Sequence, residues 1–156
     1  MRKLIQRNLT ITFSALILIL HSCTTGSCYE ETDALVKASF YNFKTQKLQA
    51  PDSVTIYGLN MENSKLYSKA KGVQPALFPL NPATISSAFI VKINGKTDTI
   101  VFRYNSYPHL ISKECGISYY HNLDTDRVVT RRAFSDIYIG NRNISTINEE
   151  NIRIFY

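Results

Sequence analysis

The sequence predicts an all-β protein, a single antiparallel β-sandwich (Ig-like or similar) of about eight or nine short strands, and three observations point to it. The composition favours sheet, since ten Tyr and eight Phe accompany two Met and no Trp among 156 residues. Apolar and polar residues alternate in several short runs, and no window has a sustained helical period. Turn residues separate these runs roughly every 8 to 12 positions, as in sandwiches and barrels.

The N-terminus has the layout of an export signal. Three basic residues within positions 2–7 precede an apolar stretch at 9–20. That stretch is shorter than the roughly 20 apolar residues that a transmembrane helix requires. The tetrad Leu-His-Ser-Cys at 20–23 follows and resembles a bacterial lipobox, in which the cysteine is acylated and becomes the mature N-terminus. The alternative is an ordinary secretory signal that leaves a free protein.

Acylation at Cys23 would divide the chain into a lipoprotein signal peptide at 1–22, a lipidated tether at 23–33 and the sandwich domain at 34–156. Loss of the signal removes three positive charges and lowers the formal charge from +6 to +3, so we expect no nucleic-acid partner. Stable anchoring needs at least two acyl chains, and a lipidated cysteine carries several. We therefore expect the protein to bind a membrane through its N-terminal lipid.

Two further cysteines, Cys28 and Cys115, form an even pair in an exported protein, which predicts a disulfide. The bond would tie the tether to the body of the domain. Two free thiols or a metal site are the alternatives. A tetrahedral zinc site uses three or four ligands in short spacings, and the sequence has no CxxC or HxxxH motif.

The first two predicted strands, at 35–43 and 52–59, alternate apolar and polar residues. The sequence 72–81 is predicted to be a crossover loop. Strands are also predicted at 85–93, 96–104, 110–112, 117–123, 127–131, 136–139 and 151–155. The prolines at positions 75, 79, 82 and 108 fall between these runs, where a missing N–H does no harm to a ladder.

The dipeptide at 94–95, Asn-Gly, is the strongest hairpin signal in the chain. A two-residue turn there pairs Ile93 with Lys96 and Phe89 with Ile100. The same register places Ile85 on the apolar face that these strands share, together with Val91, Phe102 and Tyr104. Turn chemistry and hydrophobic pattern therefore agree on one register.

Several short blocks, taken together, resemble an uncharacterised family of cell-envelope lipoproteins of the Bacteroidota, a domain of unknown function. The blocks are Cys23 and Cys28, then 39–41, 55–59, 79–82, 112–116 and 148–154. The resemblance implies a cell-envelope location, with the outer membrane as the site of anchoring, and no known activity. It also implies O-glycosylation at Ser53, because Asp-Ser-Val at 52–54 matches the acceptor pattern of such exported proteins.

Catalytic residue types are sparse. Ser118, His121 and Asp124 include the types of a hydrolase triad, but no GxSxG motif positions them, and His121, near the end of a predicted strand, is expected at an edge. His109, Glu114 and His121 are types that bind metals, but their spacing does not place them on one side of a strand. Carboxylates in the turn that begins at Asp124 lack the pattern of a calcium loop. We therefore expect no catalytic residue, no metal and no cofactor.

Basic and aromatic residues suggest binding surfaces. The basic residues group as Arg127, Arg131 and Arg132, and as Lys65, Lys69 and Lys71. These groups suit a solvated face or a contact with anionic lipid head groups. Tyr119 and Tyr120 suit a glycan, since flat rings stack on sugars, but strand alternation sends them to opposite faces.

The sequence thus favours a lipid-anchored, non-enzymatic protein of a Gram-negative cell envelope, acting as a binding or assembly accessory with an envelope protein or glycan partner. One alternative is a glycan-binding module, which requires neighbouring exposed tyrosines over a groove. Another is a hydrolase or metal-dependent enzyme using His121, which requires His109 and His121 to converge with a carboxylate. A third is a surface protein whose uncovered edge strand, such as 151–155, pairs with a partner.

Overall fold

The computed structural model describes residues 26–125 and 128–156, so the predicted signal and Cys23 lie outside the described residues. Within these ranges the chain forms eleven strands and no helix. The strands are β1 (Leu35–Tyr41), β2 (Val54–Gly58), β3 (Lys65–Ala70), β4 (Ala76–Pro79), β5 (Ser86–Ile93), β6 (Lys96–Ser112), β7 (Gly116–Leu123), β8 (Val128–Val129), β9 (Asp136–Ile139), β10 (Asn143–Ile144) and β11 (Ile152–Phe155).

The strands form two sheets that pack on each other, which confirms the predicted all-β sandwich. The smaller sheet has the order β4-β1-β11-β9, and the larger has the order β10-β7-β6-β5-β2-β3, with β8 beside β6. All neighbours are antiparallel except β1 and β11, which run parallel. The sheets are thus antiparallel, as predicted, apart from this one parallel pair among the described strands. Parallel neighbours need a long connection, and nearly the whole domain connects these two strands.

Apolar side chains from the inner faces of both sheets make one core. In β1, Val36, Ala38 and Phe40 point inward and are fully buried, which confirms the predicted alternation. Phe78 of β4 crosses the interface, and its ring lies 5.1 Å from that of Phe89 in the opposite sheet. Perpendicular ring contacts of this kind add to the burial of apolar area, so they help to fix one sheet over the other.

The β5–β6 hairpin has the predicted register. Ile93 pairs with Lys96 and Phe89 with Ile100, across a turn at 94–95 in which both residues have positive φ. The prediction for Ile85 is wrong, because this side chain is 77% exposed. Strand β5 begins one residue later, where the chain arrives from a turn at 81–84 that lies over this end of the sheet.

Strand β6 is one strand of 17 residues, whereas two shorter strands separated by Pro108 were predicted. Pro108 pairs with Tyr119 of β7. On its other side β5 has already ended, at Ser86 opposite Arg103. This part of β6 thus has a neighbouring strand on one side only, where a missing N–H is tolerated.

Three strands were not predicted. β4 lies within 72–81, which the sequence suggested was a loop, and Pro79 ends this strand at the edge of the smaller sheet. β3 has mostly exposed side chains, and β10 has two residues, so neither shows an alternating pattern. Short or weakly patterned strands gain their stability from a neighbouring strand, which the local sequence does not reveal.

Strand β11 is not an edge. It lies between β1 and β9, so its backbone is paired on both sides. It therefore cannot pair with a strand of another protein, which is what the edge-pairing alternative required. The edges of the larger sheet are β3, which carries Lys65 and Lys69, and the two-residue β10. Lysines and short length both discourage pairing with another chain.

Candidate functional site

The distal halves of β6 and β7 extend beyond the end of β5 as an antiparallel arm, which we call the β6–β7 arm (residues 105–120). Successive side chains of the arm point to opposite faces. The inner face continues the line of the core residues Tyr104 and Leu123. Farther out along this face the cross-strand pairs become exposed, since the smaller sheet does not cover them.

A disulfide joins the N-terminal part of the domain to the end of this arm. Cys28 and Cys115 are bonded, with their Cα atoms 4.7 Å apart, which confirms the predicted pair. We call residues 28–34 the strap. The Ser118 hydroxyl donates a hydrogen bond to the carbonyl oxygen of Thr32, which fixes a second point of the strap on β7. The strap is thereby held beside the arm from its tip toward the body.

The loop between β4 and β5 is fixed by one buried tyrosine. The Tyr104 hydroxyl donates to the carbonyl oxygen of Asn81 at 2.9 Å and accepts the N–H of the same residue at 3.0 Å. Ser87 and Thr84 hydroxyls lie 2.7 and 3.1 Å from the same oxygen. Because Tyr104 is 2% exposed, these bonds form at the rim of the core and set the loop in one position.

The strap, the β6–β7 arm and the loop between β4 and β5 border an open cleft of about 490 Å³. Its lining combines apolar side chains with hydroxyl, carboxylate and imidazole groups. The lining residues are Thr32, Asp33, Ala34, Leu35, Pro79, Leu80, Pro82, Cys115, Ile117, Ser118, Tyr119 and His121. Ligand sites in proteins commonly have this size and this mixture of walls and polar groups, so the cleft is the candidate binding site.

His121 is the buried polar group of the cleft, at 2% exposure, rather than the edge residue that its place near a strand end suggested. Its Nδ1 lies 2.8 Å from the Ser106 hydroxyl, directly across the β6–β7 ladder. The ring of Tyr104 packs edge-on against the imidazole at 5.2 Å. Burial lowers the pKa of His121 below its ordinary value of 6.5.

We expect the free energy of unfolding to fall as pH decreases from about 6.5, the ordinary pKa of histidine, because the unfolded chain then binds a proton that buried His121 does not. Between about pH 7 and pH 5 the loss should be on the order of 1 kcal/mol larger in the natural protein than in His121→Gln. Urea denaturation at both pH values measures it. The exposed His109→Gln is the matched control and should retain the full loss; equal losses in the natural protein and His121→Gln would contradict the assignment.

The structure does not assemble the histidine site that the enzyme alternative required. His109 pairs with Ser118 while His121 pairs with Ser106, so strand alternation places the two imidazoles on opposite faces of the arm. The His109 ring stacks on Tyr120 at 4.2 Å and is exposed. By the same alternation, the side chains of Ser118 and His121 point to opposite faces of the sheet, and Asp124 does not line the cleft. Among the described residues no group of three metal-binding side chains converges.

The sequence did not single out Asp98 as a candidate site residue. Its carboxylate is 1% exposed at a core-facing position of β6. Its oxygens accept the backbone N–H groups of Arg132, Ala133 and Phe134 at 2.6 to 2.9 Å, and the Thr130 hydroxyl at 2.5 Å. We call this arrangement the Asp98 clasp. Burial alone would raise the pKa of the carboxyl, but these donors outweigh it and hold the pKa below 3.8. The clasp fixes the chain after β8 and has no substrate-facing surface.

The remaining predicted residues lie apart from the cleft. Ser53 is half-buried just before β2, where its N–H bonds the side-chain oxygen of Asn94, and its glycosylation stays a prediction. Lysines of the first basic group lie on β3, at one edge of the larger sheet. Arg131 and Arg132 follow β8, which pairs with β6, and two strands, β2 and β5, lie between β3 and β6. The two basic groups are thus separate, and Arg127 is outside the described residues. Tyr119 and Tyr120 do point to opposite faces, as predicted.

The fold and the cleft define an all-β sandwich with a disulfide-held strap along an extended two-stranded arm. The family model of the Family of unknown function (DUF6452) matches residues 53–156, so the chain belongs to this family. No curated protein and no solved structure matches the chain. Within the described ranges no helix has the length and apolar character needed to cross a membrane.

Proposed function

We propose that the protein is a lipid-anchored, non-enzymatic accessory of the cell envelope that holds an extended segment of a partner protein in the cleft between strap, arm and loop. The observation that carries the proposal is the Cys28–Cys115 disulfide, five residues after the lipobox cysteine. It connects the point of anchoring covalently to the wall of the cleft. A partner bound there would be held close to the membrane surface.

The anchoring part of the proposal rests on the chain before the domain. The lipobox-like tetrad at 20–23 and the resemblance to Bacteroidota lipoproteins both point to acylation at Cys23. A disulfide also suits an exported protein, since oxidising compartments preserve such bonds. The outer membrane is the proposed location.

The binding part rests on the chemistry of the cleft. Leu35, Leu80 and Pro82 supply apolar walls, while Asp33 and His121 supply polar groups. An extended polypeptide offers apolar side chains and backbone hydrogen-bonding groups together, so it matches both kinds of lining. The hydroxyl paired with the Nδ1 of His121 is that of Ser106, and Ser106 does not line the cleft, which is why a binding role is favoured over catalysis.

Anchoring is tested by mass spectrometry of the protein purified from its own membranes. We expect an N-terminal peptide that begins at Cys23 and carries several acyl chains. Cys23→Ala should abolish both the cleavage and the acyl mass, whereas the nearby Cys28→Ser should retain them. An unmodified Cys23 in the membrane-purified protein would overturn the anchoring proposal.

Partner binding is tested with a photoreactive amino acid placed at single positions in living cells. Asp33 and Pro82 lie on different walls of the cleft and are exposed, so both positions should give a cross-link to the same protein. Tyr138, which is 55% exposed on the smaller sheet, is the matched control and should not give it. Absence of a shared product, or the same product from Tyr138, would contradict the cleft as the binding site.

A glycan partner is the second candidate, and one observation favours it. On the outer face of the smaller sheet, the Arg153 guanidinium lies 5.5 Å from the Tyr41 ring centre and 5.8 Å from that of Tyr138. Glu150 accepts hydrogen bonds from Arg153 and Tyr41, so the exposed ring of Tyr138, the half-buried ring of Tyr41 and polar groups lie side by side, an arrangement that suits a sugar. Loss of binding to envelope glycans in Tyr138→Ala, with binding kept in Tyr119→Ala, would support this surface.

A further inference from the structure

We propose that the tip of the β6–β7 arm is a second membrane contact, whose apolar side chains enter the boundary between head groups and acyl chains of a phospholipid bilayer. This inference rests on the lipid anchoring proposed above. It concerns three exposed side chains around the disulfide, which we call the tip patch: Tyr29, Leu110 and Ile117. None of them belongs to the buried core, and Ile117, which also lines the cleft, marks the part of the cleft that would lie nearest the membrane.

The tip patch is unusually apolar for an exposed surface. Leu110 is 64% exposed and Ile117 is 66% exposed, and the two residues face each other directly across the ladder. Tyr29, next to the bonded Cys28, is 92% exposed. Single exposed apolar residues are ordinary, but an exposed cross-strand pair two residues from Cys115, which is bonded to the residue before an exposed tyrosine, suits an apolar partner.

Covalent geometry limits how far the patch can be from the bilayer. Four residues lie between Cys23 and Cys28, so the two positions are at most about 18 Å apart in a fully extended chain. Cys28 is bonded to Cys115, and Ile117 follows two residues later on the arm. Acyl chains on Cys23 would therefore hold the arm tip, rather than any other part of the domain, at the membrane surface.

The chemistry of the patch fits the bilayer interface and indicates what drives the contact. Leucine and isoleucine gain free energy by leaving water, and tyrosine is enriched where head groups meet acyl chains. The nearby charges are mostly acidic, since Glu30, Glu31 and Glu114 outnumber Lys113. Burial of apolar surface therefore drives the contact, and anionic lipid should not strengthen it.

The protein has no tryptophan, so a single introduced tryptophan reports its own surroundings. The experiment uses the acylated full chain in phosphatidylcholine vesicles whose acyl chains carry bromine, which quenches tryptophan only on close approach. In Ile117→Trp we expect a blue-shifted emission and quenching at least twofold stronger than in Leu66→Trp. Leu66 is the matched control because it is 41% exposed on β3, at the other edge of the larger sheet.

Leu110→Trp gives an independent report from the opposite strand and replaces Ile117→Trp if that variant does not fold. Equal quenching at the tip and at Leu66→Trp, in protein that floats with the vesicles, would overturn the tip contact and leave the anchor intact. If the protein neither floated with the vesicles nor carried acyl mass on Cys23, the anchoring proposal would be overturned. The tip contact, which depends on the anchor, would be overturned with it. Stronger quenching on addition of anionic lipid would contradict contact driven by apolar burial.

Discussion

Asp98→Ala is expected to lower the free energy of unfolding by about 3 to 5 kcal/mol, because each buried amide donor left unpaired costs about 1 to 3 kcal/mol. The substitution leaves the N–H groups of Ala133 and Phe134 without their acceptor, whereas that of Arg132 retains the carbonyl oxygen of Thr130. Each such group keeps its desolvation cost after losing its hydrogen bond. Urea denaturation near neutral pH measures the change.

Two comparisons separate the clasp from a general loss of charge. Asp98→Asn keeps the shape but not the charge, so its loss should be intermediate. Asp52 is exposed, and Asp52→Ala should change the free energy of unfolding by less than about 0.5 kcal/mol. A similar small effect for Asp98→Ala would show that the clasp does not stabilise the fold.

The acid dependence of stability gives a second measure of the clasp. The pKa of Asp98 lies below its ordinary value of 3.8, so the unfolded chain takes up the proton first as pH falls. The stabilisation is thus complete above about pH 4 and is lost as pH falls through the folded-state pKa. We expect a steeper loss below about pH 4 in the natural protein than in Asp98→Asn.

The parts of the fold that the sequence predicted are those encoded by local pattern. The Asn-Gly turn at 94–95 and the alternation on both sides of it specify one register, because a slip by one residue would turn Phe89 and Ile100 toward water. The same reasoning located β1 and β9. The disulfide was predicted from the expected export of the chain and from the two cysteines that remain beside Cys23, and the pair found is Cys28 with Cys115.

The parts that could not be predicted depend on contacts distant in sequence. β4 is a strand because β1 pairs with it, and Pro108 is tolerated in β6 because β5 has ended. Asp98 is buried through donors more than thirty residues away. One local signal was present: Asp98 continues the alternation of Ile100, Phe102 and Tyr104, and a carboxylate on a core-facing position requires partners.

The cleft could be recognised only in the structure. Its walls come from the strap, the loop after β4 and strand β7, which are joined by a disulfide and by the bonds of Tyr104. The sequence located Cys115 and His121, but not that both border one cavity. Histidine position was misjudged for the same reason, since burial of His121 depends on β10 pairing with it across from Ile144.

Removal of the disulfide is expected to give the largest loss of stability. Cys28 and Cys115 are 87 residues apart in sequence. In the chain-entropy description, closing a loop of that length stabilises the folded state by about 4 to 5 kcal/mol, because it restricts the unfolded chain. The double variant Cys28→Ser, Cys115→Ser should therefore unfold at a much lower urea concentration than the oxidised protein.

The same variant should loosen the strap in particular. Among the described contacts, the strap then keeps one side-chain hydrogen bond to β7, from the Ser118 hydroxyl to the Thr32 carbonyl oxygen. Proteolytic cleavage within 28–34 is expected to quicken even where the protein remains folded, while the β5–β6 hairpin stays protected. Reduction of the natural protein should reproduce both effects, and the double variant should not respond to reductant. If the strap kept its protection without the bond, the cleft wall would be held by packing, and the disulfide would act on the unfolded chain alone.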